Sequence, residues 1–303
     1  MHKRLLIIGS EGFIGSGLCY ALSGLFEIYG VDLNIASSHL SYERYFQFTS
    51  DGNLLKCIFK KINPDICINC AGAANVHASF KDPLHDFNLN VGLIVSILEA
   101  CTFSNRDTRL IQISSAAVYG NPESLPINSN LEARPISPYG VHKYISEVVV
   151  SHYGLIFGLK TCSLRIFSAY GNGQRKLFLW DCFNKLNFSE THVTFYGTGY
   201  ESRDFIHIDD IATQIRLILE NSKFDGEVYN VANGKEVRIK QIVQLMLEVL
   251  NMNINVEFTG EFRPGDPHNW CADITPMLNW GYKQSVSIEN GVTSYVQWAL
   301  ENA

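Results

Sequence analysis

The stretch Leu5-Leu6-Ile7-Ile8-Gly9-Ser10-Glu11-Gly12-Phe13-Ile14-Gly15 decides the fold. Four consecutive apolar residues read as a strand buried on both faces, as in a parallel sheet covered by helices. Glycines follow at once, and an apolar helical pattern then runs through Leu22. Strand, glycine turn and helix in succession are the setting of a dinucleotide loop. Gly9 and Gly12 let backbone N–H groups approach a pyrophosphate at the helix N-terminus, and Gly15 lets helix and strand pack closely. Phe13 and Ile14 lie in the same turn and join the cofactor-contacting candidates.

Working outward, a second strand from Phe26 to Val31 ends in Asp32, 20 residues past Gly12. A carboxylate there can accept from the adenosine ribose hydroxyls. It would repel the 2′-phosphate of NADP, and no arginine follows closely, so the expected cofactor is NAD. Leu54 to Ile62 reads as a helix broken by Asn63-Pro64, and Asp65 to Cys70 as a strand ending in Ala71-Gly72-Ala73-Ala74. Small residues at that point let a cofactor lie against the backbone. Asp82 to Cys101 reads as one long helix carrying Asn88 and Asn90. Arg109 to Ile113 is a strand running into Ser114-Ser115-Ala116-Ala117-Val118-Tyr119-Gly120, and Lys160 to Ile166 is another. Such alternation predicts an α/β, Rossmann-like, doubly wound parallel sheet whose ligands gather at the carboxyl ends of the strands. Gly9, Asp32, Ala71 and Ser115 all fall at such ends.

A second organising stretch is Ser137-Pro138-Tyr139-Gly140-Val141-His142-Lys143-Tyr144-Ile145-Ser146-Glu147. Ser137 suits a helix cap and Pro138 the first helical position. Tyr139 and Lys143, four apart, share one face. A phenol titrates near ~10 and is a poor base at neutral pH. A neighbouring ammonium favours the phenolate, so the expectation is that Lys143 lowers the Tyr139 pKa and the pair handles a hydroxyl proton. Chance spacing on an amphipathic helix is the bland alternative. The glycine loop upstream and the Ser114-Ser115 doublet between the two decide against it.

Beyond Phe167 the pattern loosens into loops rich in Gly and aromatics, among them Tyr196-Gly197-Thr198-Gly199. Residues 1–168 are expected to form the NAD-binding unit, with 203–232 packing back on it. Residues 169–202 and 233–303 are expected to form a smaller substrate-binding region. Asp209 and Asp210 are expected to cap the helix that follows them.

Composition narrows the class. The chain has 303 residues, 46% of them apolar and 18% charged, as in an ordinary soluble globular protein. A net charge of −6 argues against nucleic acid as a partner. No apolar run approaches the ~18 residues of a membrane span, and the N-terminus leads straight into the first strand. Eight scattered cysteines without a secretory signal are expected to be reduced thiols in a cytoplasmic protein. Cys67-Ile68-Asn69-Cys70 spells C-x-x-C, but inside a strand its cysteines point to opposite faces, and no second pair completes a metal site.

These motifs in this order resemble the extended short-chain dehydrogenase/reductases, in particular the nucleotide-sugar epimerases. The resemblance rests on Gly9-x-x-Gly12-x-x-Gly15, Asp32, Ser115 with Tyr119, Tyr139-x-x-x-Lys143 and Leu164-Arg165-Ile166-Phe167. It continues through Arg203-Asp204-Phe205-Ile206-His207-Ile208-Asp209-Asp210, Tyr229-Asn230-Val231, Arg263-Pro264-Gly265-Asp266 and Ala272-Asp273. It implies Tyr139 as acid/base, Ser115 as partner of the reacting sugar oxygen and Lys143 on the nicotinamide ribose. Gly72, Ala73, Asn90 and Ser114 join the cofactor side by the same resemblance. Arg203 and Arg263 are implied to clamp a diphosphate and Asp266 to take the nucleotide ribose. Tyr196 joins the substrate side, as does Ser168, which replaces an Asn that contacts phosphate in relatives. Asn69 stands where many relatives have His.

Ala116-Ala117 occupies the place where dehydratases of this superfamily carry Asp-Glu and decarboxylases a nearby Glu. What is left is epimerisation at C4 of a nucleotide-activated hexose, or NAD(P)H-dependent reduction of a 4-keto-6-deoxy nucleotide sugar. A third class is a nucleotide sensor that has lost activity. Relatives commonly form homodimers through the helices corresponding to 82–101 and 138–157.

Overall fold

Leu5 and Ile7 enter one hydrophobic core and Leu6 and Ile8 another, each side chain at most 2% exposed. This places their strand at the centre of a sheet covered on both faces. The computed structural model describes residues 2–36, 41–48, 52–105, 107–189 and 191–303. In chain order come β1 (Arg4–Ile8), α1 (Phe13–Ala21), β2 (Glu27–Asp32), β3 (Arg44–Gln47), α2 (Gly52–Ile62) and β4 (Ile66–Asn69). Next are α3 (Val76–Lys81), α4 (Pro83–Phe87), a π-turn at Asn88–Gly92 and α5 (Leu93–Ser104). Then follow β5 (Arg109–Ser115), a 3-10 turn at Ala116–Tyr119, α6 (Pro138–Phe157) and β6 (Lys160–Ile166). The rest comprises β7 (Ser168–Tyr170), α7 (Leu177–Asn187), β8 (His192–Phe195), β9 (Ser202–Arg203), β10 (Phe205–His207) and α8 (Ile208–Asn221). It ends with β11 (Asp225–Val231), β12 (Val237–Arg238), α9 (Ile239–Leu250), β13 (Asn255–Phe258), α10 (Thr275–Asn279) and α11 (Ile288–Asn302).

Seven parallel strands form the main sheet in the order β11-β6-β5-β4-β1-β2-β3. The chain reverses its direction of winding between β1 and β4, and ligands of such sheets bind in the crevice at that point. Gly9 shows how tightly the crevice is built. Its φ is +79°, and a Cβ there would lie 2.6 Å from the Ala71 nitrogen. A Cβ on Gly15 would lie 2.0 Å from the Gly9 carbonyl oxygen, so α1 could not approach β1 with any larger residue. The expected α/β doubly wound sheet is therefore present. A further core of Tyr170, Leu179, Phe183, Ile242, Met246 and Tyr295 joins α7, α9 and α11 beyond the main sheet.

Helix α6 begins as expected, with the Ser137 hydroxyl accepting from the Gly140 N–H at 3.1 Å and Pro138 in its first turn. Its buried face is mostly polar: Tyr139, His142, Lys143, Ser146 and Glu147, with Val150 beyond. Burial of so many polar groups demands partners. Both Glu147 oxygens meet the Arg165 guanidinium at 2.7–3.2 Å, which explains the arginine in Leu164-Arg165-Ile166-Phe167. Tyr119 donates to Asn230 Oδ1 at 2.6 Å and so joins two other motifs. Buried Asp204 accepts from the N–H groups of Asn233, Gly234 and Ala272, and burial lifts its carboxyl to about 6.

Several local expectations change. The helix expected over 82–101 is interrupted by the π-turn that carries Asn90, and it extends to Ser104. Its span Pro83–Ser104 is, by length and composition alone, apolar enough to cross a membrane, contrary to the expectation from unbroken apolar runs. In this fold Ile94, Ile97, Leu98 and Cys101 pack into the core beside α2. Strand β3 was not expected; its half-exposed residues complete the sheet edge beside β2. Helix α8 is capped by His207, whose Nδ1 accepts from the Asp209 N–H, rather than by Asp209 or Asp210. Asp210 is buried and accepts from Ser285 and Val286, pinning the chain before α11. Cys67 and Cys70 do serve opposite cores, and all eight cysteines are free thiols.

Candidate active site

The carboxyl ends of β4, β5 and β6 open into a cavity of about 550 Å³. Ser115 ends β5, and its hydroxyl accepts from the Ala117 N–H at 3.2 Å. Tyr139 enters from the first turn of α6, held by a bond from its backbone N–H to the Ser79 hydroxyl at 3.1 Å. Lys143, one turn later, donates to the Ile113 carbonyl at 3.1 Å, and its nitrogen lies 5.9 Å from the centre of the Tyr139 ring. All three line the cavity.

The electrostatics differ from expectation. Burial pushes the Tyr139 phenol up to about 12; a hydrogen bond with Ser115 works against this, and the Asp86 carboxylate adds to it. Lys143 does not bring the phenol below its ordinary value, because burial dominates both groups. The same burial lowers Lys143 to about 8, opposed first by Asp86. In this state Tyr139 is a proton donor at neutral pH. Its action as a base requires additional positive charge or hydrogen bonding at its oxygen.

The same cavity gathers the residues expected to bind an anion. Arg203, Arg263, Asp266 and Tyr196 all line it, as do Ser168, Gly72, Ala73, Ser114 and Ile14. Arg263 Nε donates to Asp266 Oδ2 at 2.9 Å, and its guanidinium lies 5.3 Å from the Tyr196 ring centre. Arg203 donates to the Ser202 and His268 carbonyls and lies over Trp270. Burial lowers Arg203 to about 10, which leaves its guanidinium charged at neutral pH. Two cations in one cleft leave most of their donors available to an anion.

Gly9, Gly12, Phe13, Gly15, Asp32 and Ala71 lie outside the cavity lining, at the glycine loop beside β1. Asp32 accepts from the Glu11 and Asn34 N–H groups, fixing its carboxylate against that loop. Gly12, at the α1 N-terminus, makes no side-chain cap, so the first turn keeps N–H groups for an anion. Asn90 lies behind Gly72, and its buried Oδ1 has no hydrogen-bond partner among the described residues. A Cβ on Gly72 would stand 2.6 Å from that oxygen and 3.5 Å from Lys143 Nζ. An orphaned acceptor, an ammonium and a missing side chain at one point fit a ribose. Ser114 is a partial exception among the expected residues, since its hydroxyl donates to buried Glu147 and only the rest of the residue faces the cavity. Lys185, Glu201, Phe262 and Trp270 also line the cavity without having been singled out, because none sits in a motif whose spacing marks it.

Fold and site together define an NAD-dependent enzyme of the nucleotide-sugar epimerase/dehydratase class. The chain belongs to the NAD dependent epimerase/dehydratase family, whose sequence model matches residues 5–232. The UDP-glucose 4-epimerase of Azospirillum brasilense is 27% identical, the match covering 97% of this chain and 91% of that one. The UDP-glucuronic acid 4-epimerase of Bacillus cereus, solved with UDP-glucuronic acid and NAD, superposes with a TM-score of 0.89 at 26% identity, covering 99% of this chain and 100% of that one. DesIV, a dTDP-glucose 4,6-dehydratase of Streptomyces venezuelae with NAD bound, gives 0.88 at 25% identity, covering 99% and 97%.

Proposed function

We propose that this enzyme interconverts the C4 epimers of a nucleotide-activated hexose through a transient 4-keto sugar. The observation that carries this reading is the composition of the cavity around Tyr139. Ala117 lines it beside Ser115, and its acidic lining residues are Asp181, Glu201 and Asp266. Glu201 is bound to Thr198 and Gly199, and Asp266 to Arg263. Among the described residues, none of the carboxylates lining the cavity belongs to the Ser115–Ala117 segment, which disfavours the elimination of a 4,6-dehydratase.

The glycine loop with Phe13 and Ile14 would hold the pyrophosphate of NAD, and Asp32 its adenosine ribose. Ala71, Gly72 and Ala73 would line it, with Asn90 and Lys143 at the nicotinamide ribose. Bound NAD supplies a reversible acceptor for the sugar C4 hydride. Tyr139 takes the O4 proton as C4 is oxidised and returns one when the keto sugar is reduced on its other face, with Ser115 hydrogen-bonding the same oxygen. Arg203 and Arg263 hold the diphosphate while the sugar turns, with Asp266, Tyr196 and Ser168 on the nucleotide and phosphate side. Residues 1–168 with 203–232 would thus bind NAD, and 169–202 with 233–303 the substrate.

Reduction of a 4-keto-6-deoxy sugar uses the same three groups, and Asp32 favours NAD and hence the epimerase. Incubation with a panel of UDP-, dTDP- and GDP-sugars, following products and nicotinamide absorbance together, separates the readings. Epimers without net redox support the proposal; stoichiometric NADH loss means a reductase, and neither means a sensor. A homodimer is part of the proposal, because Val141, Tyr144 and Val148 on α6 and Leu84 and Phe87 on α4 present an exposed apolar face. Eight free thiols favour a cytoplasmic setting.

A further inference from the structure

A buried ammonium needs a counter-charge, since removing an ion from water costs several kcal/mol. Lys143 is 5% exposed and, among the described residues, makes one hydrogen bond, to the Ile113 carbonyl. Among the same residues, three groups that can carry negative charge act on it: Asp86 on α4, Cys70 after β4, and Glu147 one turn along α6. Burial holds the Cys70 thiol well above its ordinary range, so it stays neutral. Glu147 is committed to Arg165 and Ser114. Asp86 is what is left. It is buried, its Oδ2 meets His142 Nδ1 at 2.6 Å and accepts from Asn90 Nδ2 at 3.1 Å, and its Oδ1 has no partner.

We propose that Asp86, held by His142, is a positioning residue of the Tyr139–Lys143 couple: its carboxylate balances the buried Lys143 ammonium and anchors Asn90 beside it. The inference rests on Tyr139 and Lys143 being the reacting pair. Asn90 is the structural link, because its amide binds Asp86 while its free oxygen lies with Lys143 Nζ beside Gly72. The Phe87 ring meets the His142 ring edge-on at 5.4 Å and fixes the imidazole against α4. Of the groups that oppose burial at Lys143, Asp86 acts most strongly. At Tyr139 the Ser115 hydrogen bond and the Asp86 charge act in opposite senses. One carboxylate therefore biases both groups toward their protonated forms.

The test reads Lys143 directly, without turnover. The purified protein is trace-acetylated with acetic anhydride across a pH series, and the α6 peptide is quantified by mass spectrometry. Lys143 lines the cavity, so a small reagent reaches it. Asp86→Asn is expected to lower the Lys143 midpoint by on the order of one pH unit. His142→Phe keeps a ring against Phe87 but removes a donor that favours the Asp86 carboxylate, so it is expected to lower the Lys143 midpoint by a smaller amount. Loosened packing would relieve burial and raise the midpoint instead, so a fall marks loss of counter-charge. An unmoved or raised midpoint in Asp86→Asn would overturn the proposal. Asp86→Ser replaces Asp86→Asn if the latter does not fold. Full activity in Tyr139→Phe would count against the proposed reaction while leaving the labelling result intact, so the two failures are distinguishable.

Discussion

The Asp32 carboxylate accepts the Glu11 backbone N–H at 2.9 Å, tying the end of β2 to the glycine loop. If the adenosine ribose lies there as proposed, this fixed negative charge would repel a second phosphate on it. Wild type is expected to bind NAD at least about tenfold more tightly than NADP, the scale of one charge-assisted contact. Asp32→Ala should narrow the gap by weakening NAD. Equal wild-type affinity for the two, by titration calorimetry, would remove Asp32 from the ribose site.

Tyr139→Phe deletes only the phenolic oxygen from a residue whose backbone is held by Ser79. Turnover is expected to fall by ~10²–10⁴ with NAD affinity little changed. Activity near wild type would mean that another group carries the proton.

Arg263 is held by Asp266 and flanks Tyr196. Arg263→Ala is expected to cost roughly 1.5–3 kcal/mol of binding. The loss should appear as a raised KM with kcat little changed, and nucleoside diphosphate alone should weaken by a similar factor. A fall in kcat at constant KM would place Arg263 nearer the chemistry.

Lys143 carries a stability signature. Burial lowers it from 10.5 to about 8, so between these values the unfolded chain holds a proton that the folded chain has released. Stability therefore rises with pH across that window. Measured as the difference from Lys143→Met, wild type should gain up to about 3 kcal/mol between pH 8 and 10.5 in urea titrations. A flat difference would mean that Lys143 keeps its ordinary value.

Much of this was legible because it is local. Gly9 to Gly15 and Ser137 to Lys143 are contiguous stretches in which one turn of backbone dictates residue type, and the structure reproduces both. Contacts across the sequence were hidden. The Asp86–His142 pair spans 56 positions, and neither residue belongs to a recognisable spacing. Ser114 belongs to the expected cofactor side, yet alternation along β5 turns its hydroxyl to Glu147. The effect of Lys143 on Tyr139 was misjudged for a related reason: spacing shows that two groups meet, whereas burial decides how each titrates. His207 rather than an aspartate caps α8 because Asp210 is drawn away by Ser285, 75 positions later.

In the proposed epimerisation one hydride leaves C4 and returns to it within a single binding event. The nucleotide sugar identified by the substrate panel should be prepared with deuterium at C4 and followed by NMR and mass spectrometry. The C4 epimer is expected to form with deuterium retained at C4 and no net NADH released. Loss of the label to solvent, or product formed only with stoichiometric consumption of reduced cofactor, would contradict it.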